Sequence, residues 1–186
     1  MSNRQQDILD ATLALVSEHG LQGTSISKIA KQAKASPGII YHYFASKDEI
    51  MDTLYLSVFK DLMDALLDDA LLAQPCLERL KTVWLRRFYF HINNPEKTNF
   101  IEQYKNSTYF TLEQEQATNE LLIDLATMIQ GDIARGEIKA LPLRVVHAMT
   151  MSVADNIAKL QIAGSVDLQK DELNTIADIA SRSVLA

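Results

Sequence analysis

Apolar residues recur every three or four positions along almost the whole chain, and this periodicity restricts the fold more than any other feature. From residue 4 to 19, Ile8, Leu9, Thr12, Leu15 and Val16 mark one helix face, and Gly20 supplies a stop. Between 25 and 33, Ile26, Ile29, Ala30 and Ala33 share a second face. Ser36-Pro37 reads as a cap followed by proline at the first helical position, predicting a short third helix. Ser46-Lys47-Asp48-Glu49 is a capping box that opens a long fourth helix, to about residue 72. Gln74-Pro75 interrupts it, a fifth helix covers 76–92, and Asn94-Pro95 opens a sixth. Thr111 with Gln114 opens a seventh that ends at Gly136. Pro142 starts an eighth, stopped by Gly164, and Asp167 is the expected cap of a ninth, to about residue 184. Alternating β-branched runs and Asn-Gly or Asp-Gly hairpin turns are absent, so the expected fold is all-α with about nine helices.

Composition narrows the class. With 186 residues, 47% apolar and 23% charged, the chain reads as a soluble globular protein with a sizeable core. Its longest run without Asp, Glu, Lys or Arg, Ala35 to Ser46, contains Pro and Gly, so no membrane partner is expected. Acidic residues stand near the N-terminus where a signal peptide would be apolar, which points to the cytoplasm. The single cysteine, Cys76, allows no internal disulfide. The four histidines are scattered, and no paired metal motif, nucleophile elbow or phosphate loop occurs. An enzyme is therefore not expected, nor a cofactor or metal site. The net charge of −6 is unevenly spread: residues 1–47 carry five basic and three acidic side chains, the remainder thirteen and twenty-one. A mildly basic head thus precedes an acidic body.

Three short helices within the first 45 residues form a helix-turn-helix candidate. The third begins with Pro37-Gly38, so its tip has almost no side chain and suits close approach to base edges in a major groove. Tyr41, His42 and Tyr43 follow with groups suited to phosphate oxygens, and Lys47 lies in the first turn of the next helix.

The segment 8–50 resembles the DNA-binding region of the TetR family of bacterial repressors. The likeness is carried by "ILDA" at 8–11, Gly20, "TSISKIAKQA" at 24–33, "SPGIIYHYF" at 36–44 and "SKDEI" at 46–50. The resemblance implies a DNA-binding domain at 1–46 and a helical-bundle domain at 47–186 for ligand sensing and dimerisation. It implies a DNA-binding set of Thr24, Ser36, Pro37, Gly38, Ile39, Tyr41, His42, Tyr43 and Lys47, with Thr24 and Lys47 at phosphates and Phe44 packing the recognition helix. Two residues depart from the family pattern. Lys34 stands where glycine is usual in the turn, and Ile39 replaces a small or hydroxyl residue.

The resemblance also implies a homodimer on a palindromic operator and a small-molecule effector. The expected dimer surface is the last two helices. An apolar or aromatic effector suits the body, where 84–110 holds the only Trp and seven of the twelve Tyr and Phe residues. Candidate ligand contacts are Phe59, Met63, Trp84, Phe88, Tyr89, Phe100, Tyr104, Met128 and Met151, each also suited to plain core filling. The expected function is a ligand-responsive transcriptional regulator, a repressor released by its effector. The alternative is a ligand-independent DNA-binding protein controlled by a protein partner.

Overall fold

The computed structural model describes residues 3–186. Among them are twelve helices and no strand, only an isolated bridge between Ile138 and Leu185. They are α1 (Asn3–Gly23), α2 (Ile26–Gln32), α3 (Pro37–Tyr43), α4 (Lys47–Leu66), α5 (Asp69–Leu72), α6 (Cys76–Asn93), α7 (Pro95–Lys105), α8 (Leu112–Leu121), α9 (Ile123–Ala134), α10 (Leu143–Met149), α11 (Met151–Ile162) and α12 (Lys170–Arg182). No described helix is long and apolar enough to cross a membrane.

The all-α architecture agrees with the periodicity. The count rises from about nine because three expected helices are each interrupted once. The long fourth helix ends at Leu66, and Asp68 caps α5 by accepting the Leu71 N–H at 2.8 Å. Arg86 holds this corner, donating to the Leu66 carbonyl at 2.9 Å and to Asp68 at 2.7 Å. The expected seventh helix breaks at Leu122 into α8 and α9. The eighth breaks at Thr150 (φ −117°, ψ −78°), whose hydroxyl donates back to the Val146 carbonyl at 2.7 Å. A threonine bonding its own upstream turn competes with helix continuation and bends it. The last helix is capped at Gln169 rather than Asp167, with the Glu172 carboxylate accepting the Gln169 N–H at 2.8 Å.

The chain forms two compact units, and neither is continuous in sequence. The first comprises residues up to Lys60 together with Glu96–Glu120; the second comprises Asp61–Pro95 and Leu121–Ala186. Helix α4 runs through both.

In the first unit, α1 packs on α2 and α2 on α3. Ile8, Leu9, Val16, Ile29 and Ile40 are completely buried. The other pole of this unit is aromatic. Tyr55 of α4 stacks on Tyr104 of α7 with ring centroids 4.2 Å apart, and Phe59, Phe100, Tyr109 and Phe110 surround them. Stacked and edge-on pairs of this kind add to the plain burial of their area.

The second unit is built around α6, which packs on α11 and α12. Alanines 154 and 158 of α11 and Ala177 of α12 are fully buried, and their small side chains let the helices approach closely. Buried ionic groups line the same helix. Arg79 pairs with the fully buried Asp132, and Arg87 pairs with Asp155, whose second partner is His91 Nε2 at 3.0 Å. Burial alone would push the Asp155 carboxyl up. The Arg87 charge and the hydrogen bonds from His91 and Arg87 overcome this and hold it well below the usual carboxylate range.

Candidate nucleic-acid interface

Each helix of the head is set by a local signal. Ser25 caps α2, accepting the Lys28 N–H at 3.4 Å, and Ser36 caps α3, accepting the Ile39 N–H at 3.3 Å with Pro37 in the first turn. Between them the chain turns at Lys34, which adopts φ 49°. The Ala35 N–H then closes the turn on the Ala30 carbonyl at 2.8 Å.

Ile40 is fully buried and Phe44 nearly so, which fixes the rotation of α3 about its axis. Gly38, Ile39, Tyr41 and His42 consequently face solvent, Tyr43 is half-buried, and Ser36 and Pro37 are exposed at the tip. His42 and Tyr43 meet edge to face with centroids 5.0 Å apart. No carboxylate occurs from Ala35 to Ser46, and the exposed Lys28, Lys31 and Lys34 lie just upstream. An outward helical face of small, apolar and neutral polar groups, flanked by cations, suits a nucleic-acid groove.

Two of the nine candidate DNA residues are tied down inside the unit. The Thr24 side chain is buried and its hydroxyl donates to the Gly20 carbonyl at 2.9 Å; the neighbouring Ser25, not singled out from sequence, is the exposed cap of α2. Lys47 Nζ donates to the Leu21 carbonyl at 2.8 Å and lies 6.0 Å from the centre of the Tyr109 ring. Burial lowers its pKa, with Asp48 acting in the opposite sense.

Gln103 of α7 joins the same corner, its Oε1 accepting the Leu21 N–H at 3.3 Å. Leu21 needs both partners because Gly20 leaves helical geometry (φ 71°, ψ 171°) and interrupts the ladder there. No local sequence signal points to Gln103, which lies 82 residues from Leu21.

The candidate ligand residues do not form one group. Phe59, Phe100 and Tyr104 belong to the aromatic pole of the first unit. Tyr104 donates its hydroxyl to Asp52 at 2.5 Å; burial pushes the Asp52 carboxyl up, the Tyr104 hydrogen bond opposes this, and the Asp48, Glu113 and Glu49 charges add to the rise. Met63, Trp84, Phe88, Tyr89, Met128 and Met151 belong to the second unit. Trp84 and Phe88 stack with centroids 5.9 Å apart and are fully buried, or nearly so. Met128 packs against the core of Cys76, Leu80, Ile129, Ile138, Val146 and Val184. Tyr89 is exposed and lines a groove of about 450 Å³ with Leu85, Arg86 and Phe90.

Cys76, Asp132 and Glu137 bring metal-type ligand atoms within 4.8 Å of one another. Arg79 and Arg135 already pair with Asp132, and Arg135 also holds Glu137 at 2.8 Å, so the negative charge is spoken for. Burial pushes the Cys76 thiol up to about 11, which keeps it protonated at neutral pH.

Comparison with known proteins bears on both halves of the chain. The pattern of the family described as "Bacterial regulatory proteins, tetR family" matches residues 8–54, and that described as "Tetracyclin repressor-like, C-terminal domain" matches residues 75–184. The chain belongs to the TetR family. Among curated relatives, an HTH-type transcriptional regulator of Haemophilus influenzae is 32% identical over 105 residues, 56% of either chain. The regulator BetI of Burkholderia cenocepacia is 39% identical over 62 residues, 33% of this chain and 32% of that one. The TetR-family chain thus spans about half, or a third, of the length of these relatives.

Solved structures share its fold throughout. A TetR family transcription regulator from Marinobacter aquaeolei superposes with a TM-score of 0.89 at 23% identity, covering 98% of this chain and 95% of the other. FadR of Bacillus subtilis, solved in complex with stearoyl-CoA, gives 0.72 at 23% identity over 95% of each chain.

Proposed function

We propose that the protein is a dimeric, DNA-binding transcriptional repressor of the cytoplasm that leaves a palindromic operator when a small apolar or aromatic molecule binds its body. The observation that carries the DNA-binding part is the outward face of α3: Gly38, Ile39, Tyr41 and His42 are exposed together, without a carboxylate, on a helix whose rotation is fixed by Ile40 and Phe44. Ser36, Pro37 and Tyr43 flank that face. Lys47 and Thr24 serve from behind it by holding the ends of α1 and α4, and Thr24 contributes no exposed phosphate donor. A homodimer supplies two such faces, so the operator has two related half-sites.

For the effector, support comes from α6. The Trp84 indole N–H and Arg87 Nη1, three residues apart on this helix, are buried without a partner, and the Trp84 ring stacks on Phe88. Buried donors among aromatic rings suit an apolar molecule that carries an acceptor oxygen. The stearoyl-CoA of the like-folded FadR makes an acyl thioester the first compound to try. Binding lifts repression only if the effector prefers the DNA-free state. Helix α4, shared by both units, is the element through which that preference is transmitted.

The full-length protein is tested by mobility shift on its own and neighbouring promoters over a salt series, with and without stearoyl-CoA. Trp84, the sole tryptophan, reports occupancy by fluorescence. Salt-sensitive, palindrome-dependent binding is expected, and binding insensitive to salt and sequence overturns the proposal. DNA binding that no acyl-CoA or aromatic compound weakens favours control by a protein partner, a reading supported by the close burial of Trp84, Phe88, Phe100 and Tyr104.

A further inference from the structure

Gly38 has no reason within the chain to be glycine. It lies inside α3 and is not among the glycines with positive φ, which are Gly20, Gly136 and Gly164. A Cβ built on it would meet only Ser36 Oγ, at 3.8 Å, an ordinary contact. Glycine is worth up to about 1 kcal/mol less than alanine in a helix, the full value holding for the interior, so at the second position of α3 the chain forgoes part of that stability where alanine fits. The missing side chain therefore serves something that approaches α3 from outside.

Its neighbour Ile39 is equally conspicuous. It is 40% exposed on the same face, although it carries four apolar side-chain carbons and no hydrogen-bonding group. Its backbone is fixed: the N–H is held by Ser36 Oγ at 3.3 Å and the Ser36 carbonyl at 3.0 Å, and the next residue, Ile40, is anchored in the core. A β-branched side chain on a fixed helical backbone has essentially one rotamer, so little freedom is lost when it docks. Among the base edges of the major groove the one apolar feature is the thymine C5-methyl.

We infer that Gly38 provides the clearance for the backbone of α3 to come down onto the base edges, and that Ile39 then reads a thymine methyl in each half-site. The inference rests on the DNA-binding reading above and adds the chemistry by which that face discriminates sequence. Apolar contact replaces hydrogen bonding at this position, so the specificity is for a methyl group and not for a donor–acceptor pattern.

The test begins with selection of a binding site from random duplexes by the full-length wild-type protein. Each thymine of the selected site is then replaced by deoxyuridine, which removes only the methyl. At one symmetric position per half-site, removing both methyls should weaken binding by about fifteenfold, or about fourfold per methyl. The same replacement should have no effect on Ile39→Ser and an undiminished effect on Ile39→Val. Gly38→Ala should melt at the same temperature as wild type or higher, yet bind the selected site at least tenfold more weakly. Failure of the wild-type protein to select any site overturns the DNA-binding reading itself. A selected site at which every uracil replacement affects wild type and Ile39→Ser equally overturns the methyl reading. Wild-type affinity in Gly38→Ala overturns the clearance.

Discussion

Lys34 holds the turn of the helix-turn-helix in the left-handed region, φ 49°, where a side chain costs about 1 kcal/mol. Sequence comparison with the family pattern exposes this position, because glycine is usual there, and the structure shows that the chain keeps the turn and bears the strain. Lys34→Gly should raise the unfolding free energy by up to about 1 kcal/mol, read from the urea midpoint at unchanged slope. Asp155 is the corresponding case among charges. Its folded pKa lies below the unfolded value, so its contribution is complete above about pH 4 and is lost as pH falls through the folded value. Asp155→Ala leaves Arg87, whose side chain is 5% exposed, without its carboxylate. The variant should lose about 3 kcal/mol at pH 7, and urea titrations from pH 7 to 2 should show the difference from wild type shrinking at the acid end.

At the scale of elements, the corner around Leu21 is the informative one. Gly20 breaks the ladder of α1, and side chains from α4 and α7 take up the released Leu21 carbonyl and N–H. Gln103→Ala should unfold by heat or urea about 1 kcal/mol more easily. It should also speed hydrogen exchange of the Leu21 amide about fivefold, while amides at the start of α1 are unchanged. Helix starts were legible at Ser36-Pro37, Ser46 and Thr111, where a cap or proline announced them, but not at the last helix, whose cap is Gln169 and not Asp167. The breaks at Leu122 and Thr150 were not, since neither glycine nor proline marks them and one depends on how a threonine hydroxyl turns. The exposed face of α3, proposed to meet DNA, could be read from consecutive residues. The Gln103 tie, the Arg87–Asp155–His91 cluster and the scattering of the nine ligand candidates over two units were not, because each depends on partners many residues apart.

For the molecule as a whole, assembly and packing draw on different residues of the same helices. Ala154, Ala158 and Ala177 are used up against the chain's own interior, whereas Leu160 of α11 and Ile179 of α12, the latter 65% exposed, stay outside. These outer side chains are the ones the proposed dimer covers. Ile179→Glu should leave the melting curve of a dilute sample unchanged, weaken self-association at least tenfold in sedimentation equilibrium, and abolish two-half-site DNA binding. The discontinuity of the first unit bears on how such a regulator is re-engineered or shuffled. Exchanging the first 46 codons between relatives would transplant α1 to α3 while leaving behind Tyr55, Gln103 and Tyr104, which are folded into the same body. The body that holds α1 to α3 is encoded by two separate stretches of gene, one ending near Lys60 and one coding for Glu96–Glu120, and only a chimera that inherits both keeps its packing.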